Sequence, residues 1–217
     1  MVYAVPLTRR EAAAGQLRDE IISGALPAGT VIRDADVAAR LGVSITPVRE
    51  AIAQLAAEGL IDIAPNRTRR VTGITAKNAL ELLDVMSVLA CAGFEWGVEC
   101  LTHTHLDQMA ADLDVLNDSL RLGRITAALT AGADFSTVVI MASGNRELQT
   151  HVDLLVARFT RLHALVLNED SWPIWINGYQ ESLAFLRAHD TFSAVARYRQ
   201  IYQEFRTHVE RVSYDAS

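Results

Sequence analysis

Apolar positions recur every three to four residues along most of this chain, and only between residues 60 and 72 does the period shorten to two. Thr8-x-x-Glu11 has the form of a capping box, and the helix behind it places Leu17 and Ile21 on one face before Gly24 ends it. The GALPAGT stretch makes the turn into a second helix, where Val37, Ala38 and Leu41 share a face and Gly42 follows the last turn. Ser44 or Thr46 caps a third helix, with Pro47 in its first turn, where a missing N–H costs little. The apolar stripe of that helix is Val48, Ile52, Leu55 and Ala56, which leaves Ile45, Thr46, Arg49 and Ala53 facing outward near its N-terminus. Gly59 closes the stripe, Leu60 to Ile63 alternates like a short strand, and Pro65-Asn66 marks a turn before Arg69 to Thr72. Helix, turn, helix and a basic-tipped hairpin predict a winged helix-turn-helix over residues 1–75, whose third helix presents side chains to the major groove of DNA.

Beyond residue 75 strand signals nearly vanish. Helical spacing runs over about 76–100, 103–121, 124–141, 145–167, 178–188 and 190–212, with breaks at Gly123, Gly144-Asn145 and Ser171-Trp172-Pro173. Residues 76–217 are therefore expected to form an all-α antiparallel bundle, and the fold class is mainly α with one small β-hairpin wing. Leu82, Val85, Met86 and Leu89, then Leu148, Val152, Leu155 and Phe159, read as core stripes. A bundle of this size can enclose a small-molecule pocket between its helices.

Charge sharpens this division. The formal net charge is -6, yet residues 1–75 hold 9 basic and 8 acidic groups against 11 and 18 in the remainder, so the acidity belongs to the second region. Arg67, Arg69 and Arg70 cluster at the hairpin and suit the phosphate backbone or the minor groove. Cys91 and Cys100 form no CxxC pair and read as reduced structural thiols. His103 and His105 point to different faces at a helix start and read as an exposed pair rather than metal ligands. With no leader pattern and no apolar run approaching membrane-spanning length, a cytoplasmic location without membrane contact is expected. The chain shows no Gly-rich phosphate loop, no G-x-S-x-G elbow and no H-E-x-x-H pair, so no enzyme class is indicated and no cofactor is expected.

The first 75 residues resemble the GntR family of bacterial transcription regulators. The resemblance rests on Pro27, Gly29, Ile32, Asp34, Leu41-Gly42-Val43-Ser44, Thr46 to Ala51, Leu55, Glu58-Gly59-Leu60, Pro65-Asn66-Arg67 and Val71. Two positions depart from the family pattern: Ile45 replaces an arginine of the recognition helix and Thr68 replaces the glycine of the wing. The first change removes a bidentate contact to guanine and implies an altered operator; the second implies a reshaped wing tip. Phe135 followed by Ala142-Ser143-Gly144-Asn145, together with Ala188-His189-Asp190, extends the resemblance to the FadR-like branch, whose C-terminal domain is called FCD.

Many members of that branch bind a divalent metal through one Asp and three His. Here those positions fall on Gly132, Ser136, Tyr179 and Ile201, and the Arg and Glu usual in the first helix of the domain correspond to Met86 and Ala90. Asp134 lies about 200° around the helix from Gly132, and His208 lies about 10 Å along the axis from Ile201, so neither substitutes. No metal site is expected, and any effector should be less polar than a metal-bound carboxylate.

The expected DNA contacts are Arg33, Ser44, Ile45, Thr46, Arg49, Asn66, Arg67, Arg69 and Arg70. The expected effector contacts are Met86, Ser136, Arg158, Arg161, His163 and Tyr179. Together they predict a homodimer on an inverted-repeat operator in double-stranded DNA, controlled by a small organic effector. Two alternatives stand beside this: an architectural or constitutive repressor whose second domain only dimerises, and a metal-storage or hydrolytic bundle with an attached winged helix.

Overall fold

A computed structural model describes residues 7–166 and 171–215 of the chain. Its contacts divide into two compact units, Met1–Ile74 and Thr75–Ser217.

The first unit runs α1 (Arg9–Ile22), β1 (Val31–Ile32), α2 (Asp34–Leu41), α3 (Ile45–Ala57), β2 (Ile61–Ile63) and β3 (Arg69–Val71). The capping box of α1 is present: the Thr8 hydroxyl accepts from the Glu11 N–H while the Glu11 carboxylate accepts from the Thr8 N–H at 2.8 Å. Gly42 ends α2 at φ +64°, a left-handed conformation that costs glycine little. Ser44 takes the N-cap position of α3, but its side chain makes no capping hydrogen bond. Leu17, Val48, Ala51, Ile52, Leu55 and Leu60 are fully buried, so α1 and α3 close on one core. Arg18 locks that packing with a bidentate bond to Glu58, from Nε at 3.0 Å and from the guanidinium terminus at 2.6 Å. Arg40 pairs in the same way with Glu20, tying α2 to α1 and holding the Glu20 carboxyl below its ordinary range.

The hairpin is part of a three-stranded antiparallel sheet in the order β1-β3-β2. Ile63 faces Arg69 across β2 and β3, and Ile32 faces Arg69 from the other side. Strand β1 was not among the predicted elements. Two residues carry no readable period, and pairing with β3 alone makes them a strand.

The second unit comprises α4 (Ala76–Gly97), a 3₁₀ turn (Val98–Cys100), α5 (His103–Arg121), α6 (Ile125–Ala142), α7 (Arg146–Val166), α8 (Trp172–Arg187) and α9 (Thr191–Asp215). Helix α6 lies against α4, α5 and α7, while α9 packs on α4 and α8. Two close approaches need glycine. A Cβ on Gly97 would meet the Val139 carbonyl oxygen at 1.9 Å, and one on Gly178 would meet Ile201 at 2.2 Å. The core between them is aromatic: Phe94 stacks on Tyr198 with centroids 4.0 Å apart, and Phe135 stacks on Tyr179 at 4.3 Å.

Three expectations need correction. Helix α8 starts at Trp172 rather than near residue 178, because Pro173 occupies the first turn of the helix instead of a break. His105 is a capping residue: its Nδ1 accepts from the Thr102 N–H at 3.1 Å, while the Thr102 hydroxyl accepts from the His105 N–H. Finally, α6 is 18 residues long with mean hydropathy 1.6, enough by length and composition to cross a membrane. It buries Ala128, Leu129, Phe135, Val139 and Ile140 within the unit, as the core helix of a bundle does.

Candidate nucleic-acid interface and ligand pocket

Helix α3 turns Ile45, Thr46, Arg49 and Ala53 outward, because Val48, Ala51, Ile52 and Leu55 take the opposite, buried face. Ile45 is 41% exposed, an apolar side chain at the N-terminus of the helix. Beside it, Asp34 in the first turn of α2 is almost enclosed and accepts two arginines at once. Arg49 Nε lies 2.8 Å from one carboxylate oxygen, and a terminal nitrogen of Arg69 lies 2.6 Å from the other. One carboxylate thus joins the outward face of α3 to the wing. In the sequence Asp34 stands only as a motif position, because its two arginine partners lie 15 and 35 residues away.

The wing tip answers the expectation raised by Thr68. Arg67 N–H donates to the Ala64 carbonyl at 2.8 Å, and Ala64 N–H donates to the Thr68 carbonyl at 2.9 Å. The Asn66 side chain accepts from the Thr68 N–H at 3.0 Å. The turn closes with a left-handed residue, and that residue is Arg67 at φ +62°. Thr68 therefore needs no glycine-like backbone. Arg67 is exposed at the tip, Arg70 reaches the Gly29 carbonyl at 3.3 Å, and Arg33 is exposed as the N-cap residue of α2. Among the described residues, Arg33 and Arg67 form no ion pair.

In the second unit Met86, Ser136, His163 and Tyr179 line one cavity with about 50 Å³ of free space. Arg158 and Arg161 do not. On α7 the cavity takes Val152, Val156, Phe159, Thr160 and His163, a single helical face, and positions 158 and 161 fall off it. Arg161 is nonetheless 3% exposed, and burial lowers its pKa. Trp172, Trp175 and Tyr202 line the cavity and were missed. Residues 172, 175 and 179 follow helical spacing, a signal hidden by treating Pro173 as a break.

The positions where the FCD resemblance implies a metal can be tested here. Gly132 and Ser136 face the cavity, the Ser136 and Tyr179 hydroxyls bond each other at 3.1 Å, and Ile201 is fully buried against Gly178. A Cβ on Gly132 would stand 3.3 Å from Leu116 and 3.6 Å from Tyr179, so a side chain there would press into apolar neighbours. His208 is committed elsewhere, its Nε2 at 3.2 Å from the Val166 carbonyl, which requires the proton on that nitrogen. Among the described residues no three His, Cys, Asp or Glu side chains converge. These donors do not fit a divalent metal.

Residues 9–71 match the profile of the bacterial regulatory proteins of the gntR family, and residues 81–210 match the FCD domain. The chain belongs to the GntR family, in its FCD-domain branch. That is a family of transcription regulators, not of enzymes. A probable D-xylose utilization operon transcriptional repressor of Paenarthrobacter nicotinovorans is 30% identical over 143 residues, covering 64% of this chain and 63% of that protein. The match to a gluconate operon transcriptional repressor of Bacillus licheniformis, 32% identical, spans 43% of its length, so the chain covers under two thirds of both. The solved structure of E. coli McbR/YncC superimposes with TM-score 0.80 at 21% identity, covering 95% of this chain and 99% of that one. A GntR transcriptional regulator from Rhodococcus sp. RHA1 gives 0.79 at 22% identity, covering 94% and 98%. At these identities the likeness establishes the fold, a mainly α chain with a winged helix-turn-helix.

Proposed function

We propose that this chain is a sequence-specific DNA-binding transcription regulator, acting as a homodimer on an inverted-repeat operator and controlled by a small organic molecule held in the helical unit. The observation that carries the reading is the shared carboxylate of Asp34, which gathers Arg49 from the recognition helix and Arg69 from the wing onto one surface. With Arg33, Arg67 and Arg70 nearby in sequence and exposed, that surface has the cations a phosphate backbone needs. Ser44, Thr46 and Asn66 add neutral donors and acceptors, and Ile45 offers an apolar contact of the kind that meets a thymine methyl group.

Dimerisation is supported by physical need and by surface. One recognition helix reads only a few base pairs, and two half-sites supply the missing specificity. Val85, expected in the core stripe of α4 but turned outward, is 52% exposed and with Val88 and Trp96, 68% and 52% exposed, forms an apolar stripe along one face suited to a second copy. The alternative in which the second unit only dimerises draws support from the small free volume of its cavity. Metal storage and hydrolysis find no converging ligands among the described residues.

Selection from a randomised DNA pool followed by anisotropy titration tests the reading. Arg49→Ala should weaken binding to the selected site by about 1–3 kcal/mol, with a smaller loss on unrelated DNA. Equal affinity of the wild-type chain for selected and scrambled DNA would end it.

A further inference from the structure

Two side chains that line the cavity of the helical unit each hold a buried nitrogen without a hydrogen-bond partner among the described residues: Nε2 of His163 and Nε1 of Trp175. Each such atom carries a desolvation cost that nothing among the described residues returns. Their rings are neighbours, with centroids 4.6 Å apart, and Phe159 packs 4.3 Å from His163, so both polar atoms belong to one aromatic wall. Of the other polar groups in the lining, the Ser136 and Tyr179 hydroxyls bond each other, Thr137 donates to the Ala133 carbonyl and the Tyr202 hydroxyl meets that of Tyr198.

No lining side chain among the described residues carries a formal charge. His163 supplies none either, because burial pushes its imidazole down to about 3 and leaves it neutral at physiological pH. A carboxylate entering this cavity would lose its hydration and meet no cation. A hydroxyl group loses far less, and one such group both accepts from the Trp175 N–H and donates to His163 Nε2 in the tautomer that carries its proton on Nδ1. The surrounding rings of Phe159, Trp172 and Tyr202 offer faces and edges to another ring.

We infer that the effector is an uncharged, ring-bearing alcohol or phenol, its hydroxyl bridging Trp175 Nε1 and His163 Nε2. This rests on reading the cavity as an effector site. The free space of about 50 Å³ falls below the ~150 Å³ that accommodates benzene, so entry requires lining side chains to yield. Met86, unbranched, and Trp172, only half-buried at the start of α8, are placed to do so.

The test uses the full chain and matched pairs of probes: benzyl alcohol with benzoate, 2-phenylethanol with phenylacetate, and indole-3-ethanol with indole-3-acetate. Binding is read by calorimetry and by quenching of tryptophan fluorescence. At least one alcohol should bind tenfold or more tightly than its carboxylate. Trp175→Phe keeps the ring and removes the N–H, and should weaken the alcohol about tenfold while leaving the matching hydrocarbon unchanged. Ala133→Leu, which fills the cavity from α6, should abolish binding even if Trp175→Phe does not fold. Failure of all three alcohols to bind below 10 mM, or a carboxylate binding as tightly, overturns the assignment.

Operator affinity is measured separately on the ligand-free chain. Loss of DNA binding would sink the proposed function and leave the ligand measurement standing. DNA binding without any alcohol binding sinks the ligand class alone. An alcohol that binds but shifts operator affinity less than twofold overturns its role as effector.

Discussion

The two units of this chain handle charge in opposite ways. In the first, arginines sit at the surface and are aligned by carboxylates from other elements, as Asp34 aligns Arg49 and Arg69. In the second, the cavity is walled by rings and aliphatic groups, and its polar atoms are neutral. A surface arginine keeps most of its hydration and stays available to a polyanion, whereas a charge in the cavity would have to be paired inside the protein. The contrast sets an arginine-rich surface on one unit against a cavity without charged lining in the other.

The largest expected effect concerns the packing on which the neutral cavity depends. Gly97→Ala would set a methyl group against the Val139 carbonyl and should destabilise the helical unit by about 3 kcal/mol. Denaturant unfolding with separate probes for the two units checks this. A matching loss in the first unit would mean that the two do not behave independently.

Next comes pH. The folded chain holds His163 neutral down to about 3, while an unfolded histidine takes up its proton near 6.5. Below about pH 6.5 the unfolded state therefore binds more protons, and stability, complete above that value, falls as pH drops toward 3. Thermal melts between pH 7.5 and 4.5 should show the decline, and His163→Phe should flatten it. An unchanged slope in the variant would show that His163 does not carry the pH dependence.

A smaller effect tests the surface. Asp34→Asn keeps the shape but releases both arginines, and should reduce specific affinity by about 1 kcal/mol while raising non-specific binding at low salt. A uniform gain on all sequences would show that Asp34 only competes with DNA. Smallest is Arg67→Gly, which relieves a left-handed arginine and should stabilise the wing by about 0.5–1 kcal/mol. The same change should lower the salt dependence of DNA binding by about one phosphate contact.

How much was readable beforehand differs between the units for the same physical reason. The helices, turn and wing of the first unit are local, and Thr8-x-x-Glu11, Gly42, Pro47 and Pro65-Asn66 each announce a conformation within a few residues. The outward positions of α3 follow from its period alone. The Arg49–Asp34–Arg69 bridge joins residues 15 and 35 positions apart, so no local pattern contained it. In the second unit the sequence by itself determined an all-helical chain, since that depends on periodicity. Which side chains line the cavity was decided by tertiary structure. Met86, Ser136, His163 and Tyr179 meet there and Arg158 and Arg161 do not, because helix rotation and the start of α8 at Trp172 are set by packing between elements distant in the chain.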